Sequence, residues 1–193
     1  KYMKLNSHQR TFLVFYLFLV VLWLVLFVAG QKEGFENYAF SFLFGLVPLL
    51  GGFIAMRRAH MWGGFQSAVG KAVFFIGLGI FLWGAGETVW SYYNFFAGVA
   101  APYPSLADIG FAPSIFFYGL GAVYLSRATG AKFGLRNPLA KLFITIAPFI
   151  ILAAAYYILV VVARGGVVVP DGETPLKTVL DIAYPLGGFI NLA

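Results

Sequence analysis

Three carboxylates, Glu87, Asp108 and Asp181, stand inside apolar stretches of a chain that has only seven acids among its 193 residues. A charged side chain at mid-membrane costs about 2.5–3.5 kcal/mol, so such a group normally faces the protein interior and has partners. The chemistry open to these three is ligation of a cation, uptake of a proton, or hydrogen bonding that ties helices together. Trp83, Glu87, Trp90 and Asn94 follow i, i+4, i+7, i+11 spacing, one face of a helix. Two indole N–H donors and an amide therefore flank one carboxylate. Asp108 is followed by Pro113 and Asp181 by Pro185, so each acid precedes an expected kink. Structural roles compete with chemical ones: Asp108 beside Ser105 suits a helix N-terminus, and Lys177 stands one turn from Asp181, where opposite charges attract. With Tyr103 and Tyr184 added, the candidate ligand-binding set is Glu87, Trp83, Trp90, Asn94, Tyr103, Asp108, Asp181 and Tyr184.

The elements that carry these residues are apolar helices. The chain is 61% hydrophobic and 10% charged, with mean hydropathy +0.87; soluble domains carry about 25% charged residues. Runs of about 20 apolar residues recur, each long enough to cross a bilayer core of about 30 Å. "TFLVFYLFLVVLWLVLFVAG" lacks the polar/apolar alternation of a barrel strand. The expected fold is all-α, a polytopic transmembrane bundle forming one integral membrane domain over residues 1–193. Its helices fall at about 11–30, 38–56, 70–96, 105–126, 138–163 and 175–193. The first run exceeds the usual signal-peptide core and no A-x-A site follows it, so it is read as a retained helix.

Basic residues give the orientation. Lys1, Lys4 and Arg10, then Arg57, Arg58 and Lys71, then Arg127, Lys132, Arg136 and Lys141 fall on one side, ten of the 13 Lys and Arg. Only Lys32, Arg164 and Lys177 fall on the other. The positive-inside rule makes the first side, and the N-terminus, cytoplasmic. All three acids then lie in the outer part of the bundle, with Glu87 in the outer half of helix 3 and the aspartates near the starts of helices 4 and 6. The first residue is Lys and the last helix ends at "GGFINLA" without a polar exit, so a fragment with a truncated last helix is expected.

No catalytic centre is expected, nor a metal or cofactor site. Cysteine is absent, and the two histidines, His8 and His60, fall outside the apolar runs. Metal sites need clustered ligands. No lysine sits mid-helix for a Schiff base; Lys177 is the nearest candidate. The net charge of +6 belongs to topology-setting loops, not to nucleic-acid binding. Tyr92, Tyr93, Tyr103, Trp90 and Phe96 suit either an interfacial aromatic belt or the wall of a pocket for a hydrophobic ligand. Gly77, Gly84 and Ala85, with Gly119 and Gly121, permit close helix packing.

Two stretches are partly alike. "ADIGFAPSIF" and "LDIAYPLGGF" lie 73 residues apart, and each follows a proline-containing loop, "APYPSL" and "GETPLK". Val160 stands where a counterpart of Glu87 would fall, so the repeat is partial. The stretch "GLGIFLWGAGETVWSYYNFFAGVAAPYPSLADIGFAPSIFFYGLG" resembles the multi-span N-terminal membrane regions of bacterial signalling proteins with diguanylate cyclase, phosphodiesterase or histidine kinase modules. The residues that carry the likeness are Trp83, Gly86, Glu87, Trp90, Pro104, Ser105, Ala107 and Asp108, within about forty-five residues. Tyr184 and Pro185 extend it, but Gly188 stands where the family often has an acid. The resemblance implies a sensory or ligand-responsive domain in a prokaryotic cytoplasmic membrane.

The expected function is thus a sensory membrane domain with an outward polar–aromatic pocket. Its partners would be membrane lipids, a small hydrophobic or cationic ligand, and a homo-oligomer or signalling partner. The alternatives are a proton- or cation-coupled secondary transporter, or a non-catalytic structural or lipid-binding subunit of a membrane complex. A lipid-active acid/base hydrolase is the weakest option.

Overall fold

A computed structural model of the chain describes residues 7–31, 34–129 and 138–192. Of the charges used for orientation, Lys1, Lys4, Lys32, Lys132 and Arg136 lie outside the described residues. Long apolar runs satisfy their backbone internally by becoming helical, and the regular structure among the described residues is all helical. The α-helices are α1 (Ser7–Val28), α2 (Phe35–Arg58), α3 (Ala68–Phe95), α4 (Asp108–Ala128), α5 (Pro138–Tyr156) and α6 (Pro175–Leu192). Each starts within four residues of an expected helix, and all but α5 end within two. Among the described residues four stretches are long and apolar enough to cross a membrane: Gln9–Val28, Phe35–Trp62, Ala68–Phe95 and Asp108–Ala128. Phe149–Val162 is a shorter apolar stretch.

The start of α4 and the end of α5 differ from expectation for local reasons. The sequence places the start of α4 at Ser105, but residues 105–108 form a tighter turn first, with the Asp108 and Ile109 amides donating three residues back. The expected fifth helix changes at Tyr157 into a π-helical segment, Tyr157–Val162. Its Val160, Val161 and Val162 are β-branched and crowd an α-helical turn. At the other end, Ser67 starts α3 by accepting the Gly70 amide at 2.8 Å, which satisfies one of the orphan donors of the first turn.

The core is a three-helix unit of α2, α3 and α4, packed through small residues. The buried residues of α3 are Gly70, Ala72, Gly77, Gly79, Gly84, Gly86 and Ser91. A methyl group on Gly84 would collide with the Leu49 backbone nitrogen of α2. One on Gly110 of α4 would lie 2.5 Å from the Leu82 carbonyl oxygen of α3. Backbones this close gain dispersion contacts that need no large side chain between them. Large apolar groups point outward instead, among them Val14, Phe27, Ile109 and Phe116, each at least 65% exposed. α1 rests on α2. α5 and α6 form a hairpin that, among the described residues, meets the unit chiefly along α4, over a shorter line than α3 and α4 share.

Candidate functional site

The loop from Phe96 to Ala107 carries the site's first polar group. Gly98, at φ 63°, turns the chain at the end of α3 in a conformation that glycine adopts without penalty. The loop then runs to "PYPSLAD", where the Tyr103–Pro104 peptide is cis. Ser105 and Asp108 cap each other's turn. The Ser105 amide donates to Asp108 Oδ2 at 2.7 Å, and Ser105 Oγ accepts the Ala107 amide at 3.2 Å. This is a capping-box arrangement. It fixes the Asp108 carboxylate at the positive end of the α4 dipole and leaves Oδ1 to face α6.

Two tyrosine–aspartate pairs cross the seam between α4 and α6. Tyr184 of α6 donates to Asp108 Oδ1 at 2.5 Å. Tyr103 of the loop donates to Asp181 Oδ1 of α6 at 2.7 Å. Each side thus supplies one phenol and one carboxylate. Partial burial raises the pKa of the Tyr103 phenol, and the Asp181 carboxylate reinforces the shift, so the donor stays protonated.

Asp181 is also one corner of an ion cluster. Arg164, just past the π-helical segment, pairs with Asp181 and lies 3.4 Å from Glu173. Its guanidinium also donates to the Val168 carbonyl at 3.0 Å and Thr178 Oγ1 at 3.2 Å. Lys177 donates to Glu173 at 2.5 Å and to Asp181 at 3.3 Å. Two cations balance two anions here, whereas both partners of Asp108 are neutral donors.

The sequence grouped eight residues, and the structure divides them. Trp83, Trp90, Tyr103, Asp108 and Tyr184 border one cleft of about 300 Å³, together with Phe111, whose ring lies 5.1 Å from that of Trp83. Asp181 adjoins this cleft through Tyr103 without lining it. Glu87 and Asn94 do not line it. Glu87 sits in the α2–α3 seam, its Cβ 3.1 Å from where a Cβ on Gly45 would be. Its carboxylate has no hydrogen-bond partner among the described residues. Of the three acids expected at one pocket, Asp108 alone lines this cleft; Asp181 is joined to it through Tyr103, and Glu87 lies in the α2–α3 seam.

Sequence reasoning passed over Arg164 and Glu173 as members of the site. A signal for Glu173 was present: Glu173, Lys177 and Asp181 are spaced by four, the spacing at which opposite charges attract on a helix, although Glu173 stands two residues before α6 begins. Arg164 had no such signal, because it reaches the stripe across the α5–α6 connection. A second, larger space of about 900 Å³ opens between α4 and α6 below the tyrosine–aspartate pairs, walled by Ile115, Phe116, Leu120, Val123 and Leu186, with Arg127 at its end. Comparisons with protein-family models, with curated proteins and with solved structures find no match to the chain.

Proposed function

We propose that the chain is a membrane-embedded, ligand-responsive domain of the sensory type. In this reading its six helices cross a prokaryotic cytoplasmic membrane, the N-terminus is cytoplasmic, and the Asp108–Tyr184 cleft faces outward. The outward-facing large apolar side chains support the membrane setting, since water would not tolerate so continuous an apolar exterior. The observation that carries the functional reading is the reciprocal pair of bonds, Tyr103 to Asp181 and Tyr184 to Asp108. They join a glycine-packed, hence rigid, three-helix unit to a hairpin that touches it sparsely. A ligand in the cleft competes for those phenols and carboxylates, and the hairpin moves. Such a two-position element is what a ligand must bias in order to signal. Asp181 is already neutralised by Arg164 and Lys177, which weighs against the transporter alternative, where it would have to release one partner to take a cargo cation.

Absence of native cysteine allows a direct test by paired spin labels in lipid nanodiscs. One pair joins Ile109→Cys on α4 to Val179→Cys on α6, both exposed positions. A control pair joins Phe53→Cys on α2 to Phe116→Cys on α4. Replacing both Tyr103 and Tyr184 by Phe is expected to lengthen or broaden the α4–α6 distance and to leave the control distance unchanged. An α4–α6 distance indifferent to loss of both hydroxyls would refute the switch.

A further inference from the structure

The cleft's lining combines aromatic faces with one carboxylate that, among the described residues, no cation pairs with. Trp83 and Trp90 come from one α3 face, two turns apart, Phe111 and Asp108 from α4, Tyr184 from α6 and Tyr103 from the loop between. Both indoles line the cleft and are about two-fifths exposed, so packing does not close them off. The Asp108 partners are an amide N–H and a phenol, which orient the carboxylate without cancelling its charge. The adjoining cluster of Arg164, Lys177, Glu173 and Asp181 is balanced, two charges against two. The cleft as a whole is therefore left with a net negative charge held among π faces. Aromatic faces attract cations through their quadrupole, and quaternary ammonium groups are the ligands such cages recognise. A volume of about 300 Å³ is at the lower end for small-molecule sites and holds one compact head, not an extended chain.

We infer that the cleft binds a small organic cation of the quaternary-ammonium class, with Asp108 as counter-ion and Trp83, Trp90, Tyr103 and Tyr184 as the cage. The charge of Asp108 gives affinity and the rings give preference for a methylated, weakly hydrated cation over a metal ion. Lys177, 6.0 Å from the Tyr103 ring centre, already marks that ring as a cation partner. This inference rests on the ligand-responsive reading for its meaning, not for its chemistry.

The test is calorimetric titration of the 193-residue chain in nanodiscs with choline and with 3,3-dimethyl-1-butanol, its uncharged isostere. Choline is expected to bind and the isostere to bind at least about tenfold more weakly. Asp108→Asn, which can still accept the Ser105 amide, is expected to lose about tenfold in choline affinity, and Trp90→Leu to lose several-fold. Glu36→Gln, a surface charge on α2 outside the cleft, is expected to bind as the parent does. No choline binding in the millimolar range, equal binding of the isostere, or undiminished binding by Asp108→Asn would each overturn the inference. Should Asp108→Asn fail to fold, the choline–isostere comparison on the parent chain still decides. With the spin-label pair, choline binding that leaves the α4–α6 distance unchanged supports the cation site and removes the sensory reading. A distance that responds to loss of the phenols, with no choline binding, does the reverse.

Discussion

Replacing Tyr184 by Phe removes one hydroxyl and leaves the ring. The hydroxyl donates to Asp108 Oδ1 at 2.5 Å, while Oδ2 keeps the Ser105 amide. Hydrogen bonds to charged acceptors contribute about 1.5–3 kcal/mol in soluble proteins. Interhelical hydrogen bonds in bilayers average about 0.6 kcal/mol and reach about 1.7. The acceptor is charged, which favours the upper part of the membrane range; the cleft is open, so water can replace the donor, which favours the lower. We expect Tyr184→Phe to cost about 1 kcal/mol. Tyr103→Phe should cost less, because Tyr103 is 45% exposed and Asp181 keeps Arg164 and Lys177. The assay is reversible unfolding in mixed micelles, with tryptophan emission followed as the fraction of denaturing detergent rises. A cycle of Tyr184→Phe and Asp108→Asn should give a coupling of about 1 kcal/mol, whereas Tyr184→Phe with Arg164→Met should be additive within about 0.5 kcal/mol. Stability of Tyr184→Phe indistinguishable from the parent, or a larger loss for Tyr103→Phe, would refute the reasoning.

Two further outcomes follow from the packing and the ion cluster. Arg164→Lys should destabilise by about 1 kcal/mol and Arg164→Met by about 2, in the same micelle assay, because a planar fork reaching Val168, Glu173, Thr178 and Asp181 is replaced by a point charge or by none. Equal stability of all three proteins would show the cluster to be a screened surface feature. Gly84→Leu should force α2 and α3 apart at a cost of about 2 kcal/mol or more. Gly188→Ala, where a Cβ meets nothing within 4 Å, should be neutral or stabilising; thermal loss of the monodisperse peak in size exclusion separates the two.

Helix positions were legible from the sequence because the signal is local. An apolar run of fixed length must satisfy its own backbone, so Thr11–Gly30 and its successors announce themselves, and "PSLAD" carries its capping box in four adjacent positions. The Lys177–Asp181 attraction was legible for the same reason. The partner of Glu87 was not. A helical wheel sets Glu87 beside Trp83 and Trp90, yet it lies at the edge of that face, and whether α2 or α4 takes it depends on where each helix has a small residue. Gly45 on α2 makes the gap that Glu87 occupies. Glu87 thereby leaves the cleft that the wheel assigned to it.

Composition and local periodicity suffice to specify a helical, strongly apolar chain with three of its seven acids, Glu87, Asp108 and Asp181, inside apolar stretches. Which of these acids reaches the cleft depends on how the helices pack. Tyr103 and Asp181 are 78 residues apart, and Asp108 and Tyr184 are 76 apart. No local rule couples groups at such separations; they meet because α6 packs on α4 once glycines have drawn α2, α3 and α4 together.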